Sequence, residues 1–305
     1  MRIAVTGGTG LIGLAICRKL VNQGAEVVAV TRDPSRARAT LPEGVEAVPW
    51  PGGAEEAAPL GGIDAVVNLA GEPIAQRWSP AVKSRLRESR VSTLDRLFRS
   101  IERSPSRPAV LVSASAIGYY GARGDETLTE ESGPGSGFLP EVCIAWEEAA
   151  RRFEALGIRT ARVRIGVVLA KEGGAFGRML PLFRLGVGGP VGSGRQWMSW
   201  IHLDDLVDLL AFAVHDGRAA GALNGTAPGP VTNGEFAATL GKVLHRPAVV
   251  PAPGAALRVV FGEMATVLLD GQKVLPSGAQ QLGFPFRYPS LEGALRQILH
   301  PAHSC

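Results

Sequence analysis

Arg2-Ile3-Ala4-Val5-Thr6-Gly7-Gly8-Thr9-Gly10-Leu11-Ile12-Gly13 is the stretch whose reading decides the fold. Arg2 to Val5 is short and apolar, with β-branched Ile3 and Val5, the pattern of a buried strand. A glycine-punctuated turn follows at once. Leu14 to Gln23 then sets Leu14, Ile16, Cys17, Leu20 and Val21 on one face of a helix. Strand, glycine turn and helix in that order make a dinucleotide-binding crevice. Gly7 allows the tight turn, Gly10 lets backbone approach a pyrophosphate, and Gly13 lets the helix lie close on the strand. Unpaired N–H groups and the positive end of the helix dipole complete an anion site. Gly7, Thr9, Gly10, Leu11, Ile12 and Gly13 are therefore the candidate pyrophosphate-binding residues.

Outward from this turn, strand-like and helix-like segments alternate. Glu26 to Thr31 and Val45 to Val48 read as the next two strands, with a polar helix or loop from Asp33 to Leu41 between them. Ile63 to Leu69 is a fourth strand, and Ser79 to Arg103 a long helix started by Ser79-Pro80. Ala109 to Ser113 is a fifth strand, Leu139 to Leu156 a helix ended by Gly157, and Ile158 to Val168 a sixth strand. Near-continuous apolar strands alternating with helices predict the α/β class, a Rossmann-type doubly wound parallel sheet buried on both faces.

Past Lys171 the pattern changes. Glycine and proline crowd residues 186–194, and helices span Leu203 to Val214 and Thr232 to Leu244, the second with a Thr232/Glu235 capping box. Pro247 to Pro253 is extended, and Leu291 to Leu299 is a final amphipathic helix. We expect a dinucleotide-binding domain over residues 1–245, with substrate-lobe segments from about residue 171, and a small C-terminal domain over 248–299. The smaller lobe is expected to cap the carboxyl edge of the sheet.

Composition narrows the classes. The chain has 305 residues, 46% hydrophobic and 20% charged, which is ordinary globular composition. The net charge of +4 is spread over scattered basic residues, which argues against a nucleic-acid partner. No apolar stretch is long enough to cross a bilayer, and no leader with a cleavage site is visible, so a cytoplasmic protein without a membrane partner is expected. Cys17, Cys143 and Cys305 show neither metal-ligand spacing nor a disulfide framework, and no metal is expected. Cys17 reads as packing and Cys305 as a mobile terminal residue.

The end of the second strand selects the cofactor. An acidic residue there would hold a ribose 2′-OH, whereas an arginine accommodates a 2′-phosphate. Here Thr31-Arg32 ends the strand, with Arg36 and Arg38 in reserve. Arg32 reads as a phosphate partner or as a solvated surface charge; the first reading selects NADP(H) over NAD(H). Asp33 follows the arginine, where it can cap the next helix. Asn68-Leu69-Ala70-Gly71, ending the fourth strand, brings small residues beside the cofactor.

Together these residues resemble the extended or atypical branch of the short-chain dehydrogenase/reductase superfamily, over essentially the whole chain. The match continues at Ser113-Ala114-Ser115-Ala116-Ile117-Gly118-Tyr119-Tyr120-Gly121 and from Gly192 to Asp205. It is closer to the epimerase-like NAD-dependent epimerase/dehydratase subgroup, which carries its own small C-terminal domain. Subgroup hallmarks here are Asn68 to Glu72, Val142 to Glu147, Gly188 to Gly194 and Leu268 to Val274. The resemblance implies that Leu69, Ala70, Gly71 and Ser113 line the cofactor, that Arg90 points at it, and that Val168 meets its nicotinamide end. It implies a homodimer through the two long helices.

The resemblance also exposes a departure. Superfamily catalysis uses a Tyr and a Lys four residues later, the Lys lowering the phenol pKa, with a Ser orienting the substrate oxygen. The Ser matches Ser115, but the Tyr position falls on Val142 and the Lys position on Trp146. Tyr119 and Tyr120 are the substitutes in reach of that loop, and packing is the competing reading of each. Cys143 beside the vacant position reads as packing, and His202 with Asp204 and Asp205 as a helix start. A substrate-gripping arginine of the branch falls on Met198, with Arg195 nearby; Trp197 and Trp200 make an aromatic wall or lobe core. The expected function is an NADP(H)-binding epimerase-like oxidoreductase acting on a small molecule, with Ser115 and Tyr119 as catalytic candidates. The alternative is a non-catalytic NADP(H)-binding regulator, for example in cell division.

Overall fold

Ile3 and Val5 face one way from the first strand and Ala4 the other, and all three are fully buried, so the strand lies between two layers. The computed structural model describes residues 1–50 and 60–300. Its strands are β1 (Arg2–Thr6), β2 (Glu26–Thr31), β3 (Val45–Pro49), β4 (Ala65–Asn68), β5 (Val110–Ala116), β6 (Thr127–Leu128), β7 (Arg159–Ile165), β8 (Val167–Leu169), β9 (Trp197–Met198), β10 (Trp200–His202), β11 (Gly221–Gly225), β12 (Val231–Thr232) and β13 (Lys273–Val274). Its helices are α1 (Leu11–Asn22), α2 (Pro34–Arg38), α3 (Pro80–Glu102), α4 (Phe138–Arg151), α5 (Gly174–Arg184), α6 (Leu203–His215), α7 (Asn233–Leu244), α8 (Gly254–Phe261), α9 (Thr266–Leu269), α10 (Ser277–Gln281) and α11 (Leu291–Leu299).

Seven strands form one parallel sheet in the order β11-β7-β5-β4-β1-β2-β3. The chain winds outward from β1 to β3, returns to the other side of β1 as β4, and winds outward again. The carboxyl ends of β1 and β4 therefore flank the switch point, where doubly wound sheets bind ligands. Helices α1 and α6 cover one face through Ile16, Cys17, Leu20, Leu206, Leu209 and Leu210. Helices α3 and α4 cover the other through Leu94, Leu97, Ile101, Trp146 and Ala150. The expected doubly wound α/β sheet is thus present.

Local signals set several boundaries. Ser79 caps α3, accepting from Val82 N at 3.3 Å with Pro at the first helical position. The Thr232/Glu235 capping box starts α7. Gly157, at φ 77°, closes the 3-10 turn that ends the α4 segment. Apolar periodicity starts α1 at Leu14, but the helix begins at Leu11 because Gly10 is its N-cap.

Other elements depart from expectation. The expected sixth strand divides: β7 stays in the main sheet, and β8 leaves it to pair with β10. Gly166 sits at the division, where a Cβ would come within 2.5 Å of Ser199 O. Two segments of the expected smaller lobe belong to the main sandwich, since β11 pairs with β7 and α6 packs beside α1. Glycines at both ends of β11 hide it from propensity. α5 forms where no helix is expected, despite Pro181 in its interior. It buries Phe176, Leu180 and Phe183 in a second core shared with Phe236 of α7 and Leu295 of α11. Among the described residues no helix is long and apolar enough to cross a membrane. Cys305 lies outside them.

Candidate functional site

The turn after β1 is shaped by contacts that only glycine tolerates. Gly7 has φ 70°, and a Cβ on it would lie 2.8 Å from the Leu69 carbonyl. A Cβ on Gly13 would lie 2.1 Å from Gly7 O, so α1 can sit this close only without a side chain there. Gly10 is exposed, and a Cβ on it would meet only Gly7 O, at 3.4 Å, which leaves its outer side open to approach. α1 starts without a side-chain cap and without an acidic residue in its first turn. Its positive end is therefore uncompensated, and the turn fits a diphosphate.

Other predicted cofactor residues converge on this turn. Leu69 N and Ala70 N bond to Thr6 O and Thr6 Oγ1 at 3.1 and 3.3 Å, tying the loop after β4 to the end of β1. A Cβ on Gly174 would touch Leu11 at 3.4 Å and Val168 O at 3.8 Å, which brings Val168 towards the helix start. Thr9 is exposed beside Gly10, and Ile12 is half-buried in the first turn of α1. Ser113 lies deeper, in β5. It is fully buried, accepts from Asn68 Nδ2 at 3.0 Å and donates to Ala114 O. Asn68 in turn accepts from Thr6 Oγ1 at 2.7 Å, which laces the ends of β1, β4 and β5 together.

At the far end of the crevice, Arg32 is exposed and Thr31 half-buried. Asp33 is occupied as the N-cap of α2, accepting from Arg36 N at 3.0 Å. Among the described residues Arg32, Arg36 and Arg38 are exposed and form no ion pair.

Behind β5 lies a buried polar chain that the motifs did not reveal. Ser115 donates to Glu147 Oε1 at 2.8 Å. Arg164, on β7, donates to both oxygens of the same carboxylate, at 2.7 and 2.9 Å, and to the Tyr120 hydroxyl at 2.9 Å. Tyr120 donates onward to Asn224 Oδ1 at 2.7 Å. Burial pushes the Tyr120 phenol up, opposed by the charge and hydrogen bond of Arg164. Arg164 is pushed up by its bonds to Glu147, against the desolvation that works the other way. The signal was present in the sequence: Arg162 and Arg164 flank Val163 in a strand whose middle is buried, and a buried charge needs a partner.

Tyr119 differs from its neighbour. It is half-buried, packs edge-on against Tyr120, and carries the Arg164 guanidinium 3.5 Å from its ring centroid. Its hydroxyl forms no hydrogen bond among the described residues. Val142 and Trp146, one turn apart on α4, are 3% and 6% exposed. Arg90 lies 5.0 Å over the Trp146 ring and donates to Leu86 O and Glu72 O. Gly71 leaves room for it, since a Cβ there would come 3.3 Å from its Cζ. Burial lowers the Arg90 pKa, with Cys143 and Glu72 opposing. A cation thus rests on the Trp146 ring.

The remaining candidates are structural. Burial pushes both Cys17 and Cys143 up to about 12. His202 is itself the cap of α6, accepting from Asp204 N at 3.0 Å, and Nε2 meets Gln297 Oε1 at 2.8 Å. Asp205 does not cap the helix; it accepts from Arg287 N and Tyr288 N. Trp200 is fully buried in the second core, whereas Trp197 is half-exposed, donates to Asp125 and stacks under Lys273. Arg195 is exposed.

Comparison with known proteins agrees with this architecture. The model of the NAD dependent epimerase/dehydratase family matches residues 3–224, and a domain of unknown function (DUF1731) matches 252–298. The chain is 45% identical over 306 residues to the chloroplastic epimerase family protein SDR39U1 homolog of Arabidopsis thaliana, covering 98% of this chain and 87% of that one. It is 38% identical to YfhF of Bacillus subtilis, covering 98% of each. The crystal structure of human SDR39U1 (isoform2) with NADPH superposes with a TM-score of 0.91 at 38% identity, over 99% of this chain and 100% of that one. A nucleoside-diphosphate sugar epimerase from Corynebacterium glutamicum superposes with a TM-score of 0.78 at 34% identity, over 98% of this chain and 58% of that one. With the glycine turn, the switch-point crevice and the matched length all in agreement, the chain belongs to the NAD-dependent epimerase/dehydratase family.

Proposed function

We propose that this chain binds NADP(H) at the ends of β1 and β4 and acts as an epimerase-like oxidoreductase on a small molecule, without the usual Tyr/Lys pair. The crevice carries this reading: an uncapped helix start over an open glycine turn, with exposed arginines after β2 that form no ion pair among the described residues. The NADPH bound to the human relative supports the phosphorylated cofactor. That cofactor, when bound, supplies hydride chemistry. The backbone from Gly7 to Gly13 holds the diphosphate, and Thr31 with Arg32 holds the adenosine phosphate. Leu69, Ala70, Gly71, Arg90 and Val168 line the rest. Ser115 positions the reacting oxygen, and Tyr119 moves the proton.

A second reading, a regulator that binds NADP(H) without turnover, is favoured by Val142 and Trp146 standing where the proton-transfer pair would be. Absorbance of the NADPH-loaded protein against a panel of carbonyl compounds separates the two. Oxidation by any compound supports the enzyme; none with any compound supports the regulator. We also propose a cytoplasmic location and a homodimer through α3 and α4, the latter checked by light scattering.

A further inference from the structure

A cavity of about 340 Å³ lies beside α1, walled by the loop after β8, the start of α6 and α11. Ligand pockets run from about 300 to 1,000 Å³, so this one suits a small molecule. It shares only Leu11 with the dinucleotide crevice. Leu14, Ala15 and Arg18 carry it along one face of α1, and neither the glycines of the turn, the loop after β4 nor the end of β2 lines it. Seven residues of helix put Arg18 about 10 Å from Leu11 along the axis. Leu14, Leu169, Leu203 and Ile298 make much of the wall apolar.

The polar part of the wall is dominated by donors. His202 is 3% exposed and lines the cavity. Its Nδ1 accepts from Asp204 N at 3.0 Å, so the ring proton sits on Nε2 and is donated to Gln297 Oε1 at 2.8 Å. That bond fixes the Gln297 amide with its oxygen to the histidine. The amide nitrogen keeps two N–H groups that bond to no described residue. Arg18 and Lys171 line the same cavity, are exposed, and form no ion pair among the described residues. Glu172 is the one lining carboxylate equally unpaired among them, since Asp204 lies 3.9 Å from Arg287 Nη2. Two unpaired cations and an oriented amide outweigh one unpaired carboxylate, so the cavity favours an anion.

We propose that this cavity is a second ligand site, separate from the dinucleotide crevice, for a small carboxylate on an apolar body. The carboxylate accepts from the Gln297 amide and is balanced by Arg18 and Lys171, while the apolar body lies against Leu14, Leu169, Leu203 and Ile298. A carboxylate only accepts hydrogen bonds, which matches a wall that donates.

The test titrates the full chain with hexanoate and benzoate, with and without NADPH, by ligand-observed NMR. Hexanamide and benzamide are the neutral controls, and hexylamine and benzylamine the cationic ones. The expected result is that at least one carboxylate binds about tenfold tighter than its amide and its amine, and equally well with NADPH present. Gln297→Glu keeps an oxygen for His202 but removes both N–H groups, and should weaken the carboxylate at least tenfold. Arg18→Gln, on the surface, should weaken it about threefold and serves alone if the first variant does not fold. Four results overturn the inference: no binding of either carboxylate, an amide or amine bound as tightly, affinity unchanged in the folded variants, or displacement of the carboxylate by NADPH. The last would make the cavity part of the crevice. Failure of NADPH itself to bind, read by its fluorescence, overturns the crevice reading and leaves this site standing.

Discussion

At the cofactor end of the site, the turn after β1 presents main-chain atoms and empty space. Behind β5, the site is held by charged side chains packed away from water. The first region works through what is missing: Gly7 and Gly13 lack the Cβ atoms that would collide with neighbouring main chain, and Gly10 the one that would cover the turn. The second works through what is paired: Ser115, Glu147, Arg164, Tyr120 and Asn224 share one unbroken line of hydrogen bonds. A cradle of backbone dipoles is insensitive to most side-chain changes nearby. A buried ion pair is the reverse, because removing one partner leaves the other desolvated and unmatched.

That contrast is sharpest in Glu147→Ala, which strands Arg164 beneath the sheet. Urea denaturation should show a loss of about 3–5 kcal/mol, and a loss under about 1 kcal/mol would mean the pair is no more than a surface-like contact. At the opposite end, Arg32→Ala should leave stability nearly unchanged. It should weaken NADPH by about 1–3 kcal/mol, the size of a charge-assisted hydrogen bond, and NADH hardly at all. Equal weakening of both nucleotides in parallel titrations breaks the 2′-phosphate assignment.

A smaller effect comes from His202, whose pKa burial lowers despite the opposing charges of Asp204 and Asp205 and its own hydrogen bond to Gln297 Oε1. The folded state resists a proton that the unfolded chain accepts near 6.5, the ordinary value. The contribution is therefore complete above that pH and is lost as pH falls below it. The slope should stay under about 1.4 kcal/mol per pH unit and should vanish in His202→Asn, which keeps a capping side chain. Smallest of all is the response of the thiols. Cys17 and Cys143, both pushed up to about 12 by burial, should resist thiol reagents at pH 8 until the chain unfolds. Rapid native-state labelling of either, mapped by mass spectrometry, contradicts that.

Much of the fold was legible because its signals are local. Ser79-Pro80, Thr232 with Glu235, and Gly157 each act within a few residues, and each bounds its element as read. β11 and α5 were not legible for the complementary reason. Gly221 to Gly225 has little strand propensity and is held by pairing with β7, while α5 keeps Pro181 because Phe176 and Phe183 bury against distant helices. Tertiary packing overrides propensity in both.

The site divides along the same line. Residues 2 to 13 alone determined a dinucleotide crevice, because a tight turn, a backbone approach and a close helix are demands that glycine meets within one stretch of chain. Only the tertiary structure decided that Ser115 donates to Glu147, that Arg164 shares the same carboxylate, and that Ser113 bonds to Asn68. Those partners come from β4, β5, α4 and β7, and nothing in their spacing along the chain brings them together. A buried charge announces that it needs a partner; which partner it finds depends on how the sheet is wound.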